Sequence, residues 1–160
     1  MESYILSIKD PAECSAKEID DFEKMVLAGG EINVAGIRNR ISDAELLAFY
    51  YCKEILVGVC AIKRPSGVYI KKVFNKAGVK ELAGQCEYEL GWAYVLPDCR
   101  HRKIITEIMT KLLEMRGNNI YATTRNKYMK NLLQKFNFKC VGNEYKSDLR
   151  NDNLNLFIRM

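Results

Sequence analysis

Residues 87–113 limit the fold of this 160-residue chain more than any other segment. Their sequence, EYELGWAYVLPDCRHRKIITEIMTKLL, predicts a β-strand, a loop broken by Pro97 and then an amphipathic helix. A second short strand is predicted at residues 120–124, directly after this helix. Because a helix that joins two neighbouring strands implies a right-handed parallel crossover, the segment predicts an α/β fold.

The rest of the chain predicts further strands and helices around the same sheet. Strands are predicted at residues 4–8, 46–52, 55–63, 88–96, 139–145 and 154–160. Helices are predicted from the Ser15 cap to Gly29 and at residues 69–77, 104–115 and 127–136. Residues 31–40 show no clear hydrophobic periodicity, and their secondary structure is ambiguous. Without repeats or linkers, residues 1–160 are expected to form one domain, a central twisted mixed β-sheet flanked by helices.

Composition excludes several classes of protein. With 48% hydrophobic and 28% charged residues, the chain is not expected to be disordered. The longest apolar run, residues 55–62, is too short to cross a bilayer, and the first residues do not resemble a signal peptide, so a cytoplasmic protein is predicted. Six cysteines without a CxxC pair, together with one histidine, argue against a metal site.

The loop before the long helix predicts an anion-binding site. Arg100, His101, Arg102 and Lys103 follow one another there. The helix adds unpaired backbone N–H groups and the positive end of its dipole, an arrangement that suits a polyphosphate. The alternative is an ordinary basic surface loop. The formal charge of +5 suits an anionic ligand but does not by itself indicate nucleic acid.

Two motifs in this part of the chain resemble those of the GNAT superfamily of acyl-CoA-dependent N-acyltransferases. VLPDCRHRKII is similar to the family's acyl-CoA motif, a Val-x-Pro-x-x-Arg followed by x-x-Gly-x-Gly or Ala. IYATTRNKYMKNLLQKFNF is similar to the family's next strand-to-helix segment, at the expected separation. The chain departs from the first motif at its glycine positions, where it has His101, Lys103 and Ile105. The resemblance implies a GNAT-like fold with acetyl-CoA as co-substrate.

The resemblance also implies roles for individual residues. The backbone of residues 93–95 would pair with the pantetheine arm, and the loop and first helical turn would bind the pyrophosphate. An asparagine would bind the amide arm and a lysine the 3′-phosphate, although a helix N-cap and an ordinary helix-end lysine explain these two residues equally well. The implied cofactor-binding residues are Ala93, Tyr94, Val95, Arg100, His101, Arg102, Lys103, Ile104, Ile105, Asn126 and Lys135.

Glu89 is the leading candidate for the catalytic base. It lies six residues before Val95, where some family members that acylate lysine carry a catalytic glutamate. The alternatives are a solvated edge carboxylate or a salt-bridged one, and Glu87 is the second candidate. Leu133 stands where the family often has a tyrosine that serves as general acid. The candidates that protonate the leaving thiolate are therefore Tyr121 and a bound water, and the alternative is that the thiolate leaves unassisted.

The resulting hypothesis is an N-acetyltransferase that moves an acetyl group from acetyl-CoA to a primary amine of a small molecule or peptide by direct attack. The alternative is a catalytically weak or inactive GNAT-fold module that binds CoA or a partner. A nucleic-acid-directed protein is a third reading, from lysines 71, 72, 76 and 80, but a solvated lysine face explains these residues more simply. The strand at residues 154–160 is a candidate for pairing across a homodimer.

Overall fold

The computed structural model describes residues 3–30, 32–149 and 151–160. In this part of the chain the strands are β1 Tyr4–Lys9, β2 Leu46–Cys52, β3 Ile55–Lys63, β4 Tyr88–Val95, β5 Ile120–Thr124, β6 Lys139–Lys146 and β7 Asn153–Arg159. The α-helices are α1 Ala16–Gly29, α2 Ile37–Ser42, α3 Gly67–Lys76, α4 Ile104–Arg116 and α5 Lys127–Lys135. Short 3₁₀ turns lie at Pro11–Glu13, Lys80–Gln85 and Pro97–Cys99.

The seven described strands form one mixed sheet in the order β1-β2-β3-β4-β5-β7-β6. β4 and β5 are parallel, with Glu89 opposite Tyr121, which confirms the predicted crossover. β7 pairs with β5 on one side and with β6 on the other, both antiparallel. The prediction that the strand at residues 154–160 pairs across a homodimer is therefore wrong, because β7 is an interior strand and has no free edge.

Backbone contacts divide the chain into two compact units. The first unit comprises Met1–Lys63 and Gly91–Arg116, and the second comprises Arg64–Leu90 and Gly117–Met160. β4 contributes residues to both units. The expectation of a single domain over residues 1–160 stays a prediction.

The core of the first unit lies under α1. Ser15 caps this helix in the predicted capping box, since its hydroxyl accepts from the Glu18 N–H and the Glu18 carboxylate accepts from the Ser15 N–H. The helix ends at Gly29 and is capped by Gly30, which has a φ of 71°. The buried side of α1 packs on Phe49 and on Trp92, with ring contacts from Phe22 at 5.5 and 6.2 Å. Amphipathic periodicity thus fixes which face of α1 is covered.

The core of the second unit lies under α3. Ile70, Val73 and Phe74 form the buried face of this helix. Phe74 meets Tyr121 edge-on at 5.3 Å between ring centroids, and residues of β7 complete the cluster. Among the described residues, no helix is both long enough and apolar enough to span a membrane, and no group of three or more His, Cys, Asp or Glu side chains could hold a metal ion.

Candidate active site

The cationic loop connects β4 to α4 in the first unit. After the turn at Pro97–Cys99, Arg100 to Lys103 are all exposed. The backbone is left-handed at His101, with a φ of 71°, and at Lys103, with a φ of 59°. These are two of the positions where the acyl-CoA motif has glycine. The loop therefore keeps a backbone shape that favours glycine, at a cost of about 1 kcal/mol or more for each residue with a side chain.

The two arginines of this loop fold back onto the first unit. The Nε of Arg100 donates a hydrogen bond to the Val95 carbonyl oxygen at 3.0 Å, and its guanidinium lies 5.6 Å from the centre of the Tyr94 ring. The Nη1 of Arg102 lies 3.3 Å from the Tyr4 hydroxyl. The Arg100 N–H, an expected pyrophosphate donor, donates to the Pro97 oxygen at 3.3 Å in this structure. The first turn of α4 retains the N–H groups that no intrahelical acceptor reaches.

Ile104 and Ile105 begin α4 with their side chains directed into the protein. Both are buried, and Ile105 is 8% exposed. A methyl group added to Gly58 would lie 3.0 Å from Ile104, which shows how closely α4 approaches β3. The β-branched side chain of Ile105 thus fills the core, and the outer surface of the turn is left to the backbone.

β4 is irregular at Trp92. This residue has a φ of 55°, which is rare for a bulky side chain, and regular alternation along the strand is broken there. Its Nε1 is buried and has no hydrogen-bond partner among the residues that the structure describes. The Lys63 ammonium lies 4.6 Å from the centre of the indole ring. Ala93 beyond it is exposed, and Tyr94 and Val95 are half-buried. Strained residues of this kind concentrate at functional sites.

Glu89 lies in the second unit and is 6% exposed. The hydroxyl of Tyr121, its cross-strand neighbour, donates to its Oε1 at 3.4 Å. Tyr121 is fully buried, and burial, followed by the charge of Glu89, raises its pKa far above the usual range. Glu87 is exposed and precedes the strand. The solvated-edge alternative for Glu89 is therefore wrong.

Solved structures share this arrangement of strands and helices, and an acyl-CoA N-acyltransferase and a putative acetyltransferase are among them. ElaA from Escherichia coli has a TM-score of 0.74 and 14% identity over 99% of this chain and 100% of its own. An acyl-CoA N-acyltransferase from Pseudomonas aeruginosa has a TM-score of 0.72 and 11% identity over 99% and 100%. A putative GNAT-family acetyltransferase from Desulfovibrio desulfuricans has a TM-score of 0.64 and 11% identity, with 97% of both chains covered.

The chain has the GNAT fold. Neither a protein-family model nor a curated protein sequence matches it. At these identities the likeness concerns the fold and assigns no role to any residue.

The remaining two candidate cofactor-binding residues, Asn126 and Lys135, lie at the two ends of α5 in the second unit. Asn126 caps the helix, and its Oδ1 accepts from the Met129 N–H at 3.0 Å. Lys135 is exposed on the last turn. Leu133, at the position of the family's tyrosine, is fully buried in the core. The structure thus shows the capping role of Asn126, and it leaves the Lys135 ammonium at the surface.

Sequence reasoning missed Lys63 and Trp92 in the first unit. Lys63 carried one signal, since a lysine closes the apolar run of β3. Trp92 carried a signal as well, because Gly91 directly before it is a glycine inside a predicted strand, which indicates a bulge or a close backbone approach.

Proposed function

We propose that this protein is an acetyltransferase that moves an acetyl group from acetyl-CoA to a primary amine of a small molecule or peptide in the cytoplasm. The observation that carries the proposal is the buried side chain of Glu89 on β4 of a GNAT fold. Its carboxylate accepts a hydrogen bond from the Tyr121 hydroxyl on β5. The amine nitrogen attacks the thioester carbonyl, a C–N bond forms, the C–S bond breaks and the thiolate takes up a proton. Glu89 removes the proton that the amine must lose.

The β4–α4 loop supports the cofactor part of the proposal. Three permanent cations and the first-turn N–H groups of α4 suit the CoA pyrophosphate, and the left-handed backbone at His101 and Lys103 keeps the loop compact. The last residues of β4, from Ala93 to Val95, form the segment proposed to pair with the pantetheine arm. Arg100 already donates one hydrogen bond to the Val95 oxygen, which leaves this carbonyl one further lone pair for a donor of the pantetheine arm.

Tyr121 is proposed to orient Glu89. Its hydroxyl donates to the carboxylate, and a raised pKa means that it holds its own proton firmly. Both facts favour a positioning role over protonation of the thiolate, which is then left to a bound water. Glu87 remains the second candidate for the base, although its exposure makes it a weaker one.

A second candidate function is a CoA-binding module without efficient turnover. Leu133 favours this second function, because its side chain fills the core where the acyltransferase family often has a tyrosine that serves as general acid. The two candidates make the same prediction for binding and opposite predictions for release of CoA.

Calorimetric titration with acetyl-CoA and with CoA tests both candidates. An absence of binding at millimolar ligand would remove them together. Where binding is found, release of free CoA is followed by chromatography with a panel of primary amines. Glu89→Gln should slow release at neutral pH by about a hundredfold or more with little change in the acetyl-CoA Kd. Glu87→Gln, the same change two residues earlier, is the control, and equal rates in the two variants would place the base elsewhere.

A further inference from the structure

A buried phenol joins the sheet of the first unit to the helix that follows the cationic loop. Tyr50 of β2 is 4% exposed, and its hydroxyl donates a hydrogen bond to the Glu107 carboxylate of α4 at 2.7 Å. This distance is that of a strong hydrogen bond to a carboxylate. Burial, followed by this hydrogen bond, raises the pKa of Tyr50 above its usual range, so the phenol keeps the proton that it donates.

Glu107 is also bonded to the strained end of the loop. Its N–H donates to the Lys103 oxygen at 3.1 Å, which closes the first turn of α4. Lys103 has a φ of 59°, a conformation that persists where surrounding contacts hold it. The backbone of Glu107 thus fixes the end of the loop, and its side chain fixes the same turn to Tyr50.

The start of α4 lies directly beside Tyr50. Gly58 of β3 is the cross-strand partner of Tyr50, and a Cβ added to Gly58 would lie 3.0 Å from the Ile104 side chain. Because Gly58 has no side chain, the first residue of α4 can lie against the sheet at this position. Tyr50 is therefore placed where it can set the position of the helix start.

The ring of Tyr50 also supports the middle of the loop. Tyr4 of β1 lies two residues before Leu6, which pairs with Tyr50, so the two tyrosines are on one face of the sheet. Their ring centroids are 5.8 Å apart, and the Tyr4 hydroxyl lies 3.3 Å from the Nη1 of Arg102. The ring and the hydroxyl of Tyr50 thus support two different parts of the proposed cofactor site.

A carboxylate in the first turn of a helix can compete with an anionic ligand. The N–H groups at residues 104–106 have no acceptor within the helix, and they attract negative charge. Glu107 carries such a charge in the same turn. The hydrogen bond from Tyr50 holds this carboxylate on the sheet, and the N–H groups are left for a ligand.

We propose that Tyr50 is a positioning residue for acetyl-CoA, which fixes the first turn of α4 through Glu107 and keeps the Glu107 carboxylate from the pyrophosphate site. The inference rests on the proposed function, because it takes this turn as the site of the pyrophosphate. A site that is ordered before binding loses less affinity to ordering. Removal of the Tyr50 hydroxyl should therefore weaken acetyl-CoA binding and leave the transfer step itself unchanged.

A split between acetyl-CoA affinity and kcat distinguishes positioning from a general loss of fold. Tyr50→Phe keeps the ring that supports Tyr4, and Tyr51→Phe, at a ring that packs on the cluster under α1, is the matched control. Tyr50→Phe should raise the Kd and the KM of acetyl-CoA by about fivefold or more, with kcat unchanged, and the control should alter neither. Partial unfolding would instead lower kcat at an unchanged KM. That result, or an unchanged Kd in Tyr50→Phe, would overturn the inference.

A double-mutant cycle tests whether Tyr50 acts through Glu107. Glu107→Ala removes a negative charge near the proposed pyrophosphate site and alters binding by itself, and the cycle cancels this effect. In the Glu107→Ala background, Tyr50→Phe should change the acetyl-CoA Kd by less than about twofold. The same fivefold loss in both backgrounds would show that Tyr50 does not act through Glu107 and would overturn the inference.

Amide hydrogen exchange tests the same contact without a ligand. The Glu107 N–H should exchange faster in Tyr50→Phe than in the wild type and at the wild-type rate in Tyr51→Phe, as read by ¹⁵N NMR. An unchanged rate in Tyr50→Phe would show that the hydroxyl does not hold the helix start and would overturn the inference. Faster exchange in this variant, together with a wild-type protein that does not bind acetyl-CoA, would refute the proposed function and not the contact.

Discussion

Replacing Lys103 by glycine should stabilise the protein, although it removes a charged side chain from the proposed cofactor loop. Lys103 has a φ of 59°, a conformation that costs a residue with a Cβ about 1–2 kcal/mol. Glycine avoids this cost but loses about 0.5–1 kcal/mol of chain entropy. We therefore expect Lys103→Gly to be more stable than Lys103→Ala by about 1 kcal/mol. For 160 residues the entropy of unfolding is about 340 cal/mol/K, so this difference corresponds to about 3 °C in Tm.

Differential scanning calorimetry of the two variants measures this difference. Lys111 in the exposed middle of α4 provides the control, since Lys111→Gly should be less stable than Lys111→Ala by about 1 kcal/mol, the opposite order. Both Lys103 variants lose the same charge and should weaken acetyl-CoA binding equally. Equal stability of Lys103→Gly and Lys103→Ala would refute the left-handed loop and, with it, the argument that this chain keeps the motif's backbone without its glycines.

Three further outcomes are expected. Gly142→Ala should lower the free energy of unfolding by about 3 kcal/mol or more by chemical denaturation, because the new methyl would overlap a carbonyl oxygen after α3 at a φ of 69°, whereas Gly84→Ala, with nothing within 4 Å, should change it by less than about 1 kcal/mol. Ser15→Ala should cost about 1 kcal/mol in the same assay, through loss of the α1 cap. Cys60, whose pKa burial raises to about 12, should resist a thiol reagent that labels the exposed Cys140 within minutes, as read by mass spectrometry.

Local signals in the sequence were sufficient for most of the elements. The capping box at Ser15 placed the start of α1, and the two-residue connection Lys53-Glu54 placed the β2–β3 hairpin, where both residues have the positive φ that such a turn requires. α2 was missed, because it has six residues and begins at Gly36 without a side-chain cap. The interior position of β7 was also missed, since pairing of distant strands depends on long-range packing and not on local pattern.

The candidate site was predictable where it depended on sequence motifs. The cationic loop and Glu89 followed from residue types and spacing. Burial of Glu89 beside Tyr121 depended on the pairing of β4 with β5 and was not accessible from the pattern of either strand alone. The positive φ fell on Trp92, a residue type that normally favours regular strands, and only Gly91 directly before it indicated an irregularity.

The irregular residue of β4 is also the single tryptophan of the chain. Its fluorescence, and one indole N–H resonance in a ¹⁵N-labelled sample, therefore come from one known place in the strand, without any engineered label. Lys63 lies over the ring and Phe22 packs against its edge, so both signals report on the packing of the first unit around β4. When the wild-type protein is titrated with a ligand, a change in the fluorescence or in the indole resonance therefore shows that β4 responds.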